Sequence, residues 1–289
     1  MPPIFNKTWG GSQFWGDVHF FRGWKIQQNI YTRHYRLLDP QNYRFESGAL
    51  AACLETLEQI KQQHEFSPMS GTAVVLVHGI TRSTSYFSRL KTALKRVGCT
   101  FVNFEYPSTR VNIETSADYL RQTIASLSGV DTIHFVVHSM GGLIVRTLLK
   151  TVDDPRFSRL VMIGVPNTGA QLADRLKQLG LFKLIYGPAG QQLVTDMNGY
   201  IADLPIPNIE FAIIAGGRGH AKGYNPLIDG DDDGVVAVES ARLPGASDFS
   251  LIPCLHSLMP SNEEVCAQAV RFLQTGCLRA SGERCPIPR

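Results

Sequence analysis

From Thr72 to Leu273 the chain alternates two patterns that occur together in one class of fold. Short, uninterrupted apolar runs are followed by longer segments whose apolar residues recur at helical spacing. Thr72–Val77 is such a run, as expected of a strand buried on both faces. Ser85–Val97 follows with Tyr86, Phe87, Leu90, Ala93, Leu94 and Val97 on one stripe, which predicts an amphipathic helix. Thr100–Phe104 reads as a strand and Thr115–Leu127 as a helix carrying Ala117, Leu120, Ile124 and Leu127 on one face. Thr132–Val137 (strand), Gly142–Leu149 (helix) and Leu160–Ile163 (strand) continue the rhythm. Phe211–Ala215 and Phe249–Ile252 read as the last strands, and Glu263–Leu273 as a closing helix. Strands that alternate with helices predict a mostly parallel sheet covered by helices on both faces, an α/β fold.

Two stretches break the rhythm. Residues 1–70 carry period-two alternation at Trp24–Ile26 and Tyr31–Leu38, which predicts a hairpin, and a helix over about 47–63. The reading is an N-terminal extension, 1–70, packed on a body that spans 71–289. The segment Ala170–Asn208 interrupts two strands and is richer in Leu, Ile and Tyr than a connecting loop needs.

Composition excludes several classes. With 44% hydrophobic and 18% charged residues the chain is globular rather than disordered. A net charge of +3, with no long Lys/Arg run, gives no footprint for nucleic acid. No apolar stretch is long enough for a transmembrane helix. The N-terminal residues MPPIFNKTWGG lack the pattern of a secretory leader, which leaves the compartment open. None of the six cysteines forms C-x-x-C, so no zinc or redox site is expected. Cys277 and Cys285, flanking a Gly-containing tail, are the pair best placed for a disulfide; free thiols are the alternative.

The chemistry sits at strand ends. Val137-His138-Ser139-Met140-Gly141-Gly142 lies between an apolar strand and a helix. A sharp turn there lifts a serine hydroxyl from the sheet edge, and the helix start aims N–H groups at the same space. Val77-His78-Gly79-Ile80 ends the first strand of the body. The N–H groups of Ile80 and Met140 are the expected pair of oxyanion donors, with His78 as scaffold. A serine nucleophile needs a histidine base, and the base needs an acid to hold its tautomer. His256, between the last strand and the closing helix, is the expected base, and His220 is its only rival. The acid is expected in Asp229-Gly230-Asp231-Asp232-Asp233-Gly234-Val235-Val236. Asp233 leads because an Asp-Gly followed by an apolar pair has the right shape; Asp231 and Asp232 are the alternatives. The other acids are expected to form a solvated turn. Asp229, Asp231, Asp233 and Gly234 imitate a calcium loop, but its twelfth position would be Ser240, where bidentate Glu is required.

The order Ser139, Asp233, His256, together with LVHGI, HSMGGL, VPNTG, DGVVAVESARL and HSLM, resembles the α/β-hydrolase superfamily and its bacterial lipase/esterase group. The shared pieces cover 72–275. The chain departs from G-x-S-x-G at Val137, which implies wider helix–strand packing at the elbow. The resemblance implies a cofactor-free, metal-free serine hydrolase of carboxylic esters that works through an acyl-enzyme. It implies a cap or lid at about 170–208, an ester substrate with an apolar acyl chain and peripheral contact with a lipid surface. An acyltransferase or lipid-remodelling deacylase with the same triad is the alternative, and a peptidase or thioesterase lies between. A non-catalytic binding module would predict a broken triad.

Overall fold

Six parallel strands form the central sheet: β5 (Thr72–Val77), β6 (Thr100–Phe104), β7 (Thr132–His138), β8 (Phe157–Ile163), β9 (Glu210–Gly217) and β10 (Asp248–Pro253). Their order is β10-β9-β8-β7-β5-β6, with β6 and β10 at the edges. The protein is seen in a computed structural model that describes residues 11–81, 84–170, 188–193 and 199–289.

The two-residue period of a strand divides the core. Val75, Val77, Phe135, Val137, Leu160, Met162, Ile213 and Ala215 face one side, with helices α3 (Ile113–Ala125) and α4 (Met140–Thr151). Val74, Leu76, Val136, Val161, Ile163, Ala212 and Ile214 face the other, with α2 (Ser88–Arg96) and α6 (Glu263–Thr275). Both faces are dry, which is why these strands read as unbroken apolar runs.

Differences from the expected boundaries have local causes. The helix read from Thr115 starts at Ile113, because the Asn112 side chain accepts the Thr115 N–H at 2.9 Å and caps it. The helix read over Ser85–Val97 opens with a 3-10 turn, Thr84–Phe87, before α2. The helix read from Gly142 starts at Met140, directly after Ser139.

The N-terminal hairpin is half of a larger unit. Strands β1 (Trp15–Phe21), β2 (Trp24–Asn29), β3 (Tyr35–Leu38) and β4 (Arg44–Gly48) form a four-stranded antiparallel sheet, followed by α1 (Leu50–Gln63). β1 escapes a period-two reading because nearly all of it is buried, Asp17 included, against its own sheet and α3. Arg22 and Gly23 turn β1 into β2, both at positive φ, as a tight hairpin requires.

A polar seam joins the two sheets along the edge of β6. Asp17 donates its N–H to the Glu105 carbonyl (2.9 Å) and accepts the Glu105 N–H (2.8 Å). Lys25 Nζ donates to the Asn103 carbonyl at 2.8 Å and lies 3.4 Å from the Asp17 carboxylate. Gln27 Nε2 donates to Asp17 Oδ1 at 2.7 Å. Burial pushes the Asp17 carboxyl up to about 6, against the pull of Lys25. The seam occupies backbone groups that an open edge strand would expose.

All six cysteines are free thiols, so the expected Cys277–Cys285 pairing is not present. Instead the Cys277 sulfur accepts from Arg284 Nε at 3.4 Å, while the Cys285 N–H donates to buried Asp248 at 2.9 Å. No helix among the described residues is long and apolar enough to cross a membrane.

Candidate active site

The C-terminal ends of β5, β7, β8 and β9 surround one point, where ligands collect in open α/β sheets. Ser139 stands there between β7 and α4 with φ 55° and ψ −130°, a conformation that costs a non-glycine residue of order 1–3 kcal/mol. Close packing holds it. The Ser139 N–H donates to the Ile163 carbonyl at 3.0 Å. A Cβ at Gly141 would stand 2.4 Å from the Val77 carbonyl oxygen, and one at Gly142 would stand 2.5 Å from the Val165 methyls. Only glycine lets α4 begin this near to β5 and the segment after β8. Val137 in place of the first motif glycine is fully buried in the sheet and takes its normal partners in β5 and β8.

Gly79 approaches Ser139 from β5: a Cβ there would lie 2.9 Å from Ser139 Cβ and 3.4 Å from its Oγ. This brings the turn leading into Ile80 against the serine. Met140 opens α4, and the first N–H groups of a helix have no partner within it. His78 is buried, donates its Nδ1–H to the Gly79 carbonyl (2.8 Å) and stacks on Tyr106 with centroids 4.5 Å apart. Burial lowers its pKa to about 4, so the ring is neutral, as suits a scaffold.

His256 and Asp233 meet on the other side. His256 Nδ1 lies 2.7 Å from Asp233 Oδ2, and the His256 N–H donates to the Asp233 carbonyl at 2.8 Å. Asp233 Oδ1 accepts the N–H groups of Val235 (3.0 Å) and Val236 (2.7 Å). A carboxylate held by two backbone donors and a ring nitrogen is charge-assisted on every side. His138, the residue before Ser139, places its ring 4.6 Å from that of His256, so nucleophile and base candidates share one small volume. His220 lies in an exposed loop, outside this cluster.

Of the neighbouring acids only Asp229 is exposed; Asp231 and Asp232 are not part of a solvated turn, which corrects the sequence expectation for those two. Asp231 accepts the N–H groups of Arg218 (2.7 Å) and Gly219 (2.8 Å). Asp232 is fully buried and accepts those of Asn225 (3.0 Å) and Gly234 (2.6 Å). Side-chain-to-backbone bonds of this kind build turns, and they spend the carboxylates a cation would need. No cluster of potential metal ligands occurs among the described residues.

Several contributors went unread in the sequence. A Cβ at Gly164, after β8, would stand 3.2 Å from His256 Nδ1 and 3.3 Å from Asp233 Oδ2. One at Gly216, in β9, would meet Asp233 Cβ at 2.8 Å and Met259 Sδ at 2.9 Å. These glycines clear the space that the His–Asp pair fills; the available signal was a glycine directly after each apolar run. Arg146, in α4, is buried and donates to the carbonyls of Asn167 (2.9 Å), Leu204 (2.6 Å) and Pro205 (3.3 Å). Burial lowers it to about 10. Asn167, from VPNTG, donates Nδ2 to the Ala241 carbonyl at 2.8 Å, in the short helix α5 (Val238–Ala241).

The expected cap at 170–208 lies partly outside the described residues, including Leu172, Leu176, Leu179, Leu181, Phe182, Leu184, Ile185 and Met197. Its described parts pack as core: Leu193, Ile201 and Leu204 are buried, and the Tyr200 hydroxyl lies 2.6 Å from Thr147 Oγ1.

A family model described as "Domain of unknown function (DUF7379)" matches residues 42–195, more than half of the chain. The chain belongs to that family. The matched stretch includes Ile80, Ser139 and Met140 and ends before Asp233 and His256. The human lysosomal thioesterase PPT2 is 24% identical over 253 residues, covering 74% of this chain and 80% of that protein. Among solved structures, the mature Bacillus licheniformis lipase BlEst2 superposes with a TM-score of 0.53 at 19% identity, over 73% of this chain and 94% of that one. The Legionella pneumophila phospholipase PlaB also gives 0.53, at 18% identity, over 73% of this chain and 60% of PlaB. With the parallel sheet and its order, these likenesses show the α/β-hydrolase fold.

Proposed function

We propose that this protein is a serine hydrolase that cleaves esters through an acyl-enzyme, with Ser139 as nucleophile, His256 as base and Asp233 as the acid that orients it. The observation that carries the reading is the 2.7 Å contact between His256 Nδ1 and Asp233 Oδ2, built beside a serine held at positive φ on a strand-to-helix elbow. With Nδ1–H bonded to the carboxylate, Nε2 is left as acceptor for the Ser139 proton. Ser139 Oγ attacks the ester carbonyl, His256 takes the proton and then gives it to the leaving alcohol. The oxyanion is held by the N–H groups of Ile80 and Met140. Water, activated by His256, releases the acid and restores Ser139. The residues of this sequence require no metal or cofactor for these steps.

The substrate in this reading is an ester with an apolar acyl chain. Leu255 and Leu258 flank His256 in sequence and are 40% and 53% exposed, large apolar side chains open to solvent close in the chain to the proposed base. The same residues support peripheral contact with a lipid surface. The segment 170–208 belongs to this reading as a cap over the acyl site, residues 71–289 as the catalytic body and 1–70 as an extension packed on it.

Two other chemistries use the same residues. Thioester cleavage is favoured by the likeness to a protein named as a thioesterase. Transfer of the acyl group to an alcohol differs only in the acceptor. A panel of p-nitrophenyl esters and acyl thioesters of increasing chain length, each with and without a competing alcohol, separates the three. Ser139→Ala must abolish turnover; retained turnover refutes the assignment.

A further inference from the structure

The geometry points to His138 and Tyr86 as positioning residues that clamp the main chain of His256, coupling the place of the base to that of the nucleophile. This inference rests on the catalytic reading above. His138 Nε2 lies 3.1 Å from the His256 carbonyl oxygen. A carbonyl only accepts, so Nε2 carries the proton and donates it. Tyr86, from the 3-10 turn before α2, packs its ring edge-on to His138, with centroids 5.2 Å apart. Its hydroxyl donates to the Ser257 carbonyl and approaches that of His256 at 3.4 Å. The His256 N–H is meanwhile spent on the Asp233 carbonyl.

Three fixings therefore converge on His256 and a fourth on the residue after it. Asp233 holds the ring and the N–H of His256; His138 and Tyr86 hold the carbonyls on its other side. His138 is covalently joined to Ser139, so its ring works as a short strut between the nucleophile's backbone and the base's backbone. The His256 segment is also anchored by buried Met259 and Pro260 and by the Leu258 N–H on the Leu255 carbonyl (2.8 Å), so the two side chains add to a packed turn. It follows strand β10 at the sheet edge, and its next turn, His256–Ser261, is a 3-10 helix interrupted by Pro260. A misplacement of about 1 Å between reacting groups can cost on the order of a hundredfold in rate.

The test separates donation from bulk. Gln has its Nε2 the same number of bonds from Cβ as His Nε2, so His138→Gln keeps the donor, while His138→Leu keeps volume without it. Tyr86→Phe removes only the hydroxyl. With a p-nitrophenyl ester, His138→Leu should lower kcat by about tenfold to a hundredfold with KM within about twofold. His138→Gln should recover most of that loss. Tyr86→Phe should lower kcat at unchanged melting temperature. Comparable kcat in wild type and His138→Leu would overturn the inference and leave the triad standing. So would a His138→Gln variant as slow as His138→Leu, since the role would then not be hydrogen-bond donation. If His138→Leu does not fold, full activity in Tyr86→Phe with loss in His138→Gln overturns it, and the converse supports it. A wild-type protein with no activity and no fluorophosphonate adduct at Ser139 would overturn both this inference and the reading beneath it.

Discussion

In the proposed triad, replacing Asp233 by Asn is the most structured test of how the acid works. In the native protein Oδ1 accepts two backbone N–H groups, from Val235 and Val236. Those donors dictate how an Asn side chain must lie: its oxygen toward them, its NH2 in place of Oδ2. The NH2 then faces His256 Nδ1 from 2.7 Å and must donate to it. Nδ1 becomes an acceptor, the ring proton moves to Nε2, and Nε2, which the proposed mechanism assigns to the Ser139 proton, can no longer take it. The opposite flip would set NH2 against two N–H donors and leave them unsatisfied. The expected loss is the wrong-tautomer penalty, about 10⁴-fold in kcat in a well-studied triad and equivalent to about 5.5 kcal/mol. The fold should lose little, because size and both backbone bonds persist. The neighbouring change Asp232→Asn should do the reverse. Asp232 is fully buried and holds Asn225 and Gly234 through their N–H groups. Weakening those bonds should cost about 1–3 kcal/mol of stability with kcat within about tenfold of wild type. Turnover of a p-nitrophenyl ester and thermal unfolding, measured on both variants, give four numbers. If Asp233→Asn keeps more than about a tenth of the wild-type kcat, or if Asp232→Asn is the variant that loses it, the assignment of the acid is wrong.

Two other outcomes follow from the same packing. Burial holds His78 at about 4 in the folded chain, below its ordinary value of about 6.5, so the unfolded chain binds more protons between those values. Its contribution, about 3 kcal/mol, is complete above pH 6.5 and is lost as pH falls toward 4. Asp17, pushed up to about 6, works in the opposite sense, so the informative quantity is the change in slope: urea titrations should show His78→Gln losing less stability than wild type over that window. Gly164→Ala should reduce both stability and kcat: φ is +54° there, and the new Cβ would press on His256 Nδ1 and Asp233 Oδ2 at 3.2 and 3.3 Å. A variant with wild-type kcat and melting temperature would show that this contact is not tight in solution.

The parts of this protein that sequence made legible are those where one local pattern carries the information. β5 and β6 matched residue for residue because strands buried on both faces read as unbroken apolar runs. Ser139, Asp233 and His256 were legible as candidates from motifs at strand ends, and the structure brings the last two within hydrogen-bonding distance of each other. What stayed hidden depends on partners distant in the chain. Gly164 and Gly216 matter for the side chains of residues 233, 256 and 259, which a local reading cannot place. β1 holds Asp17 and Gln27 in a buried seam with Glu105, a polar pattern that only tertiary contacts explain. Asp231 and Asp232 looked like surface carboxylates because the backbone donors they satisfy, in Arg218, Gly219 and Asn225, lie in an earlier loop. Cys277 and Cys285 looked paired by spacing, but the tail between them is organised by Arg284 and Asp248 instead.

The most direct measurement of the central claim is covalent labelling of the native protein with a fluorophosphonate, followed by peptide mass spectrometry. One elbow with one activated hydroxyl predicts a single adduct, at Ser139, whose formation slows by orders of magnitude in His256→Ala and disappears in Ser139→Ala. An adduct on another residue, or a wild-type protein that does not react, would contradict it.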